Sequence, residues 1–199
     1  MPVRLFKDYD LKSVDQKDVI KTMTSSGTSG QGVSKIYLDR STASNQTAVL
    51  AKILSEFLGK KRLPMLVVDT KSILNNRYNF SARAAGVLGF TMFGYDVTYA
   101  LNDNMGIDYK TIEKFLGKHE GQDILVFGFT AIIWEHFHKA LLISGSVNKL
   151  NIKNGILIHG GGWKKIESES VDPATFRKQL SMSCGIEKIH NYYGMIEQT

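Results

Sequence analysis

Ile124-Leu125-Val126-Phe127 is apolar at all four positions. A strand with one wet face alternates apolar and polar residues, so an unbroken run of this kind is buried on both faces. Met65-Leu66-Val67-Val68, ending at Asp69, has the same character, and Gly155 to His159 supplies a third run. Strands buried on both sides belong to a mainly parallel sheet covered by helices on both faces. The stretches between them fit that plan. Residues 42–58 carry Leu50, Ile53, Leu54, Phe57 and Leu58 at helical spacing, and 81–90 is an alanine-rich helix pattern. Residues 108–116 predict a helix with an acidic first turn, and 130–142 predict another whose apolar face holds Trp134 and Phe137. Asp172-Pro173 reads as a helix start, with Asp as the cap and Pro at the first position. Shorter strands are predicted at 36–38, 96–101 and 186–190. The fold class is therefore α/β.

Composition bounds the function. With 43% hydrophobic and 22% charged residues, the 199-residue chain has enough apolar content for a real core. A single cysteine, Cys184, rules out an intrachain disulfide and favours a reducing compartment, so a cytoplasmic location is expected. No signal peptide or membrane span is predicted. The net charge of +6 raises the question of nucleic acid, but the basic residues are scattered. The longest run, Lys60-Lys61-Arg62, reads as a solvated helix end, and no nucleic-acid partner is expected. A mild positive field also suits an anionic ligand. His136 and His138 stand two apart on a helix and face different directions, which makes them poor joint metal ligands. Cys184 reads as a structural thiol.

In open parallel sheets, ligands bind in the loops at the carboxyl ends of strands. Two loops stand out. The first is Thr24-Ser25-Ser26-Gly27-Thr28-Ser29-Gly30-Gln31-Gly32-Val33-Ser34-Lys35. Glycines let successive N–H groups face one point, hydroxyls add donors, and the closing lysine adds charge, which together make a phosphate cradle. Composition alone leaves a flexible linker open, while the position before the Ile36-Tyr37-Leu38 strand favours the cradle. The loop is not a Walker A, lacking Gly-Lys-Ser/Thr, and not a serine-hydrolase elbow, lacking Gly-x-Ser-x-Gly. It is not a dinucleotide fingerprint either, since its glycine spacing differs and no strand is expected directly before it. The second loop, Gly160-Gly161-Gly162-Trp163-Lys164 after His159, follows a strand. By itself it is either a tight turn or a ligand platform.

Ser25, Ser26, Gly27, Thr28, Ser29 and Gly30 resemble, position by position, the phosphate loop of adenylate-forming enzymes, the superfamily of acyl-CoA synthetases, peptide-synthetase adenylation domains and firefly luciferase. Tyr193, Gly194 and Glu197 are similar to that superfamily's aromatic-Gly-x-Thr-Glu motif, with Ile196 in place of the threonine. The superfamily's Pro-Lys after the loop is replaced by a later lysine, Lys35, without the proline. Pro2-Val3-Arg4-Leu5-Phe6-Lys7, the loop, His159 to Lys164, and Tyr193-Gly194-Met195-Ile196-Glu197-Gln198 together resemble the LuxE-type acyl-protein synthetases over nearly the whole chain.

That resemblance implies a two-step reaction. A fatty acid or other carboxylic acid attacks the α-phosphate of ATP to give acyl-adenylate and pyrophosphate. The acyl group then passes to a thiol, a protein cysteine or that of a reductase partner. The resemblance assigns Thr24, Ser25, Ser26, Gly27, Thr28, Ser29 and Gly30 to the phosphates, and Gly160, Gly161, Gly162, Tyr193 and Gly194 to adenine. It assigns Glu197 to Mg2+ and to catalysis, and Lys35 to catalysis alone. It also implies that residues 1–199 are part of a nucleotide-binding domain. The lid domain, the ribose-binding aspartate and the acyl-accepting cysteine lie outside this stretch, so the stretch is not expected to complete the thioester cycle alone. Sheet left uncovered by missing segments is expected to make the chain a homo-oligomer. A phenylacetate-type acyl-CoA ligase and a non-catalytic ATP- or acyl-binding module are the alternatives, the second favoured by Ile196. Replacing Gly27 and Gly30 with bulky residues is expected to abolish carboxylate-dependent exchange of labelled pyrophosphate into ATP while circular dichroism is unchanged. Unaltered exchange would remove the loop from the phosphate site.

Overall fold

β5 (Ile124–Phe129) is the middle strand of a five-stranded parallel sheet in the computed structural model of the chain, which describes residues 2–25, 32–75, 82–145, 150–163 and 166–193. Its neighbours are β3 (Leu63–Thr70) on one side and β6 (Gly155–Gly160) on the other. Beyond them stand β4 (Gly94–Leu101) and β7 (Lys188–Tyr192), giving the order β4-β3-β5-β6-β7. Every pair in this sheet is parallel. The apolar runs thus occupy the three central strands, where both faces need cover.

Helices supply that cover. From β3 the chain runs through α3 (Ala82–Phe90) to the edge strand β4, then returns through α4 (Tyr109–Lys118) to β5. From β5 it moves the other way, through α5 (130–143) to β6 and α6 (Pro173–Cys184) to β7. Because parallel crossovers are right-handed, this reversal puts α3 on one face and the other three helices on the opposite one. Packing agrees. Phe90 of α3 stacks on Phe127 with ring centroids 4.1 Å apart. Leu66, Val126 and Leu157 point the other way, into a core with Ile112, Phe137 and Leu180. The point of reversal lies between the carboxyl ends of β3 and β5, where ligands bind in sheets of this type.

Local chemistry fixes the helix ends. Asp172 caps α6 as expected, accepting the Thr175 N–H at 3.0 Å with Pro173 at the first position. Asp108, expected as an acidic residue in the first turn of α4, is instead its cap and accepts the Thr111 N–H at 3.0 Å. Gly185, at φ +77°, closes α6. At the end of β3 the buried Asp69 carboxylate is satisfied by the Thr70 N–H at 2.6 Å and by the Arg83 guanidinium. α5 departs from the expected regular helix. A turn of α-helix (Thr130–Ile132) leads into a π-helical segment (Ile133–His138) before α-helix resumes at Lys139–Ile143. The wider turn presents Ile133, Trp134, Phe137 and His138 all to the interior.

The chain forms two compact units, one built from Lys60–Tyr192 and holding this sheet, the other mainly from residues 1–59. In the smaller unit β1 (Lys21–Thr24) pairs antiparallel with β2 (Lys35–Leu38), and α2 (Arg40–Leu58) follows. The expected apolar stripe of α2 is divided: Leu54 and Leu58 are buried while Ile53 and Phe57 are 53% and 44% exposed. A two-stranded sheet of four residues per strand covers only a narrow band of a 19-residue helix. No helix among the described residues is long and apolar enough to cross a membrane.

Two glycines predict opposite outcomes. A Cβ at Gly128 would lie 2.9 Å from Ile133 Cγ1 and 3.1 Å from Val68 Cβ, whereas one at Gly117 of α4 would meet nothing within 4 Å. Gly128→Ala is expected to destabilise by about 1–3 kcal/mol through overpacking. Gly117→Ala is expected to stabilise by roughly 0.5–1 kcal/mol through helix propensity. Guanidinium unfolding of both variants checks the pair.

Candidate nucleotide site

The Ser/Gly loop leaves a hairpin, not a bare coil. Thr24 is paired with Lys35 in the β1–β2 register, so a strand does run directly into the loop, contrary to expectation. Only Met23 of β1 is even half-buried, which is why the strand carries no apolar signature. The dinucleotide reading stays excluded, because the loop leads into a strand and not a helix. Ser25 and Ser34 tie the neck: the Ser25 N–H donates to the Ser34 carbonyl at 3.0 Å, and the Ser34 N–H to Ser25 Oγ at 2.9 Å. Ser25 Oγ is an acceptor in that bond, so its own proton is left to donate. Ser26, Gly27, Thr28, Ser29 and Gly30 lie outside the described residues, as do Gly194 and Glu197. The Lys35 ammonium stands 3.5 Å from Asp10, which also accepts the Tyr37 hydroxyl at 2.7 Å. The Tyr37 hydrogen bond, helped by Lys35, holds the Asp10 carboxyl below its ordinary value.

In the larger unit Gly160 ends β6, and Gly161 and Gly162 follow it. Register sets Phe129, Gly160 and Tyr192 side by side across three strands. A side chain at Gly160 would come within 2.8 Å of the Tyr192 carbonyl oxygen. Gly161 adopts φ +78°, and a Cβ there would lie 3.1 Å from the Phe129 ring. Gly162 differs from both: its φ is not positive, and among the described residues a Cβ would meet nothing within 4 Å. Tyr193 follows β7 and is 78% exposed.

Beneath the glycines lies a buried polar pair. Thr130, the first residue of α5, donates its hydroxyl to the Gly160 carbonyl at 3.0 Å and stands 2.9 Å from His159 Nδ1. Burial, helped by the Arg177 and His190 charges, lowers the His159 pKa to about 4, so the imidazole is neutral. His159 lies on Phe176 at 4.6 Å, and Trp163 meets Phe176 and Trp134 at 6.0 and 5.5 Å.

The model of the LuxE acyl-protein synthetases matches residues 1–199. The chain belongs to the LuxE acyl-protein synthetase family. No curated protein matches it significantly. Among solved structures it is similar to the ATP-bound RpMatB-BxBclM chimera B1, at 13% identity and a TM-score of 0.51, over 95% of this chain and 31% of that one. That likeness is one of fold, and the chain spans less than a third of the chimera's length.

Sequence reasoning missed Phe129, Thr130 and Tyr192 in this LuxE chain. Their signal was positional: Phe129 ends β5, with Thr130 next, at the level where Gly160 ends β6. The histidine makes a pH prediction. Unfolded His159 takes a proton near pH 6.5, the folded form only near 4, so stability is lost as pH falls through that window. The loss from this residue is up to roughly 3 kcal/mol, with His138 and His190 shifted in the same direction. Thermal melts between pH 7 and 4 are expected to show a shallower decline in His159→Asn than in the parent.

Proposed function

We propose that this chain carries the ATP-handling part of an acyl-protein synthetase, activating a carboxylic acid, by preference a fatty acid, as acyl-adenylate for transfer to a protein thiol. Membership of the family supports the reaction class. The observation that carries the nucleotide assignment is Gly162. Its neighbours Gly160 and Gly161 are glycines because strand packing and backbone conformation demand it. Among the described residues nothing demands a glycine at 162, and none comes within 4 Å of where its side chain would stand. A flat adenine laid along the backbone accounts for the missing side chain.

The donors available suit the remaining parts of ATP. The Ser25 hydroxyl sits at the neck of the phosphate loop with a proton to give, and successive N–H groups of Ser26 to Gly30 would complete the cradle. Thr24 lies at the same neck, and Lys35 is one residue beyond Ser34, held by Asp10. The resemblance assigns Tyr193 and Gly194 to the adenine. Glu197 would hold Mg2+, which neutralises phosphate charge when bound. The protein's contribution is positioning and charge compensation, which suffice once ATP supplies the leaving group. Cys184 takes no part as acyl acceptor. It is fully buried, and burial raises its thiol to about 11, so the thiolate nucleophile is absent at neutral pH. The acceptor is a thiol elsewhere, on the protein or a partner.

Gly162→Leu tests the reading on the full-length protein. The side chain enters open space, so the melting temperature is expected to stay within about 2 °C of the parent. Carboxylate-dependent pyrophosphate exchange is expected to fall about a hundredfold, the scale of a misplaced substrate. Exchange at the parental rate in a folded Gly162→Leu protein would contradict the assignment.

A further inference from the structure

Three consecutive glycines are a poor platform unless something holds them. Glycine loses more backbone freedom on ordering than any other residue, so a loose Gly160–Gly162 would have to be frozen each time a ligand lands on it. The residues flanking the three are held fast. His159 on one side and Trp163 on the other both pack against Phe176, at 4.6 and 6.0 Å, and Trp163 also meets Trp134 from the π-helical segment of α5. Between them, the Gly160 carbonyl is bonded to the Thr130 hydroxyl at 3.0 Å.

The direction of the hydrogen bonds follows from counting protons. Thr130 has one hydroxyl proton and two acceptors within reach, the Gly160 carbonyl and His159 Nδ1, the latter at 2.9 Å. If the proton went to His159, Thr130 Oγ1 and the Gly160 oxygen would face each other at 3.0 Å with no hydrogen between them, both buried. A buried acceptor left in that state is costly. The arrangement that satisfies all three groups runs in one direction: His159 Nδ1–H donates to Thr130 Oγ1, and Thr130 Oγ1–H donates to the Gly160 carbonyl. This fixes the imidazole as the Nδ1–H tautomer, and each bond polarises the next. Burial keeps the ring uncharged down to about pH 4, so across the neutral range Nε2 of this tautomer carries no proton.

We infer that Thr130 and His159 are positioning residues for ATP, locking the Gly160 carbonyl so that Gly161 and Gly162 present a pre-set backbone to the adenine. The inference rests on the reading of Gly160 to Gly162 as the adenine platform. Neither side chain touches the reacting atoms. Their effect is on the cost of ordering the platform, and therefore on ATP and not on the carboxylate.

Four single variants of the full-length protein separate this role from a merely structural one. Thr130→Ser keeps the hydroxyl and His159→Asn keeps a donor nitrogen near the position of Nδ1. Thr130→Val and His159→Leu remove them. In pyrophosphate exchange, Thr130→Val and His159→Leu are expected to raise the KM for ATP about tenfold, with the KM for the carboxylate and kcat within about twofold of the parent. The serine and asparagine variants are expected to return the KM for ATP to near the parental value. In the parent, 15N NMR of labelled histidine is expected to find His159 Nδ1 protonated and Nε2 bare. A parental KM for ATP in folded Thr130→Val and His159→Leu overturns the proposal, as does an Nε2–H tautomer in the parent. A rise in both KM values that serine and asparagine do not rescue also overturns it. Absence of exchange in the parent overturns the adenylation reading and the proposal with it, whereas normal exchange with an insensitive KM overturns the proposal alone. The tautomer measurement needs neither activity nor a folded variant.

Discussion

The parallel pairing of β5 with β6 is the constraint on which the larger unit depends. Six consecutive residues of each strand stand opposite one another, from Ile124 with Gly155 to Phe129 with Gly160. Because side chains alternate along a strand, this one register decides which residues face which layer. It sends Val126 and Leu157 into the core beneath α4, α5 and α6, and Phe127 towards α3. It also brings both strands to an end at the same level, so that Thr130, one residue past β5, lies under Gly160. A slip of one residue would exchange the two faces and separate the hydroxyl from the carbonyl it holds.

The chemistry of the strand ends follows from that register. Gly128 is small because Val68 and Ile133 close over it, and Gly160 because Tyr192 does. His159, one residue earlier, is pushed into the apolar layer with Phe176, where an imidazolium would be expensive. The direction of the hydrogen bonds is set by the single Thr130 proton, which the Gly160 carbonyl takes, leaving Nδ1–H of His159 to donate. Gly162 is then the first glycine in the turn that packing leaves unexplained, and it lies where the sheet meets solvent at its carboxyl edge. The glycine-rich turn thus has a part shaped by strand packing and a part, Gly162, that no packing among the described residues shapes.

Much of this was legible beforehand, and for definite reasons. The strands at Met65–Val68 and Ile124–Phe127 announced themselves because burial on both faces leaves no polar position in the run. Asp172-Pro173 announced a helix because capping is a local act between residues two and three apart. β1 stayed hidden because three of its four residues are exposed and its existence depends on pairing with β2. The π-helical segment stayed hidden because Ile133, Trp134 and Phe137 fit an ordinary helix equally well. At the site, the three glycines and the Ser/Gly loop could be picked out by composition. Thr130 could not, since it and Gly160 stand 30 positions apart and are brought together only by the sheet. The relay is long-range in sequence and short-range in space, which no local pattern records.

The central claim is that adenine lies on the Gly160–Gly162 backbone at the end of β6. Photolabelling of the full-length protein with 8-azido-ATP, followed by peptide mapping, tests it most directly. With adenine on that backbone, label suppressed by excess ATP is expected on the peptide containing Gly160 to Trp163. ATP-protected label confined to peptides that lack this segment would contradict it.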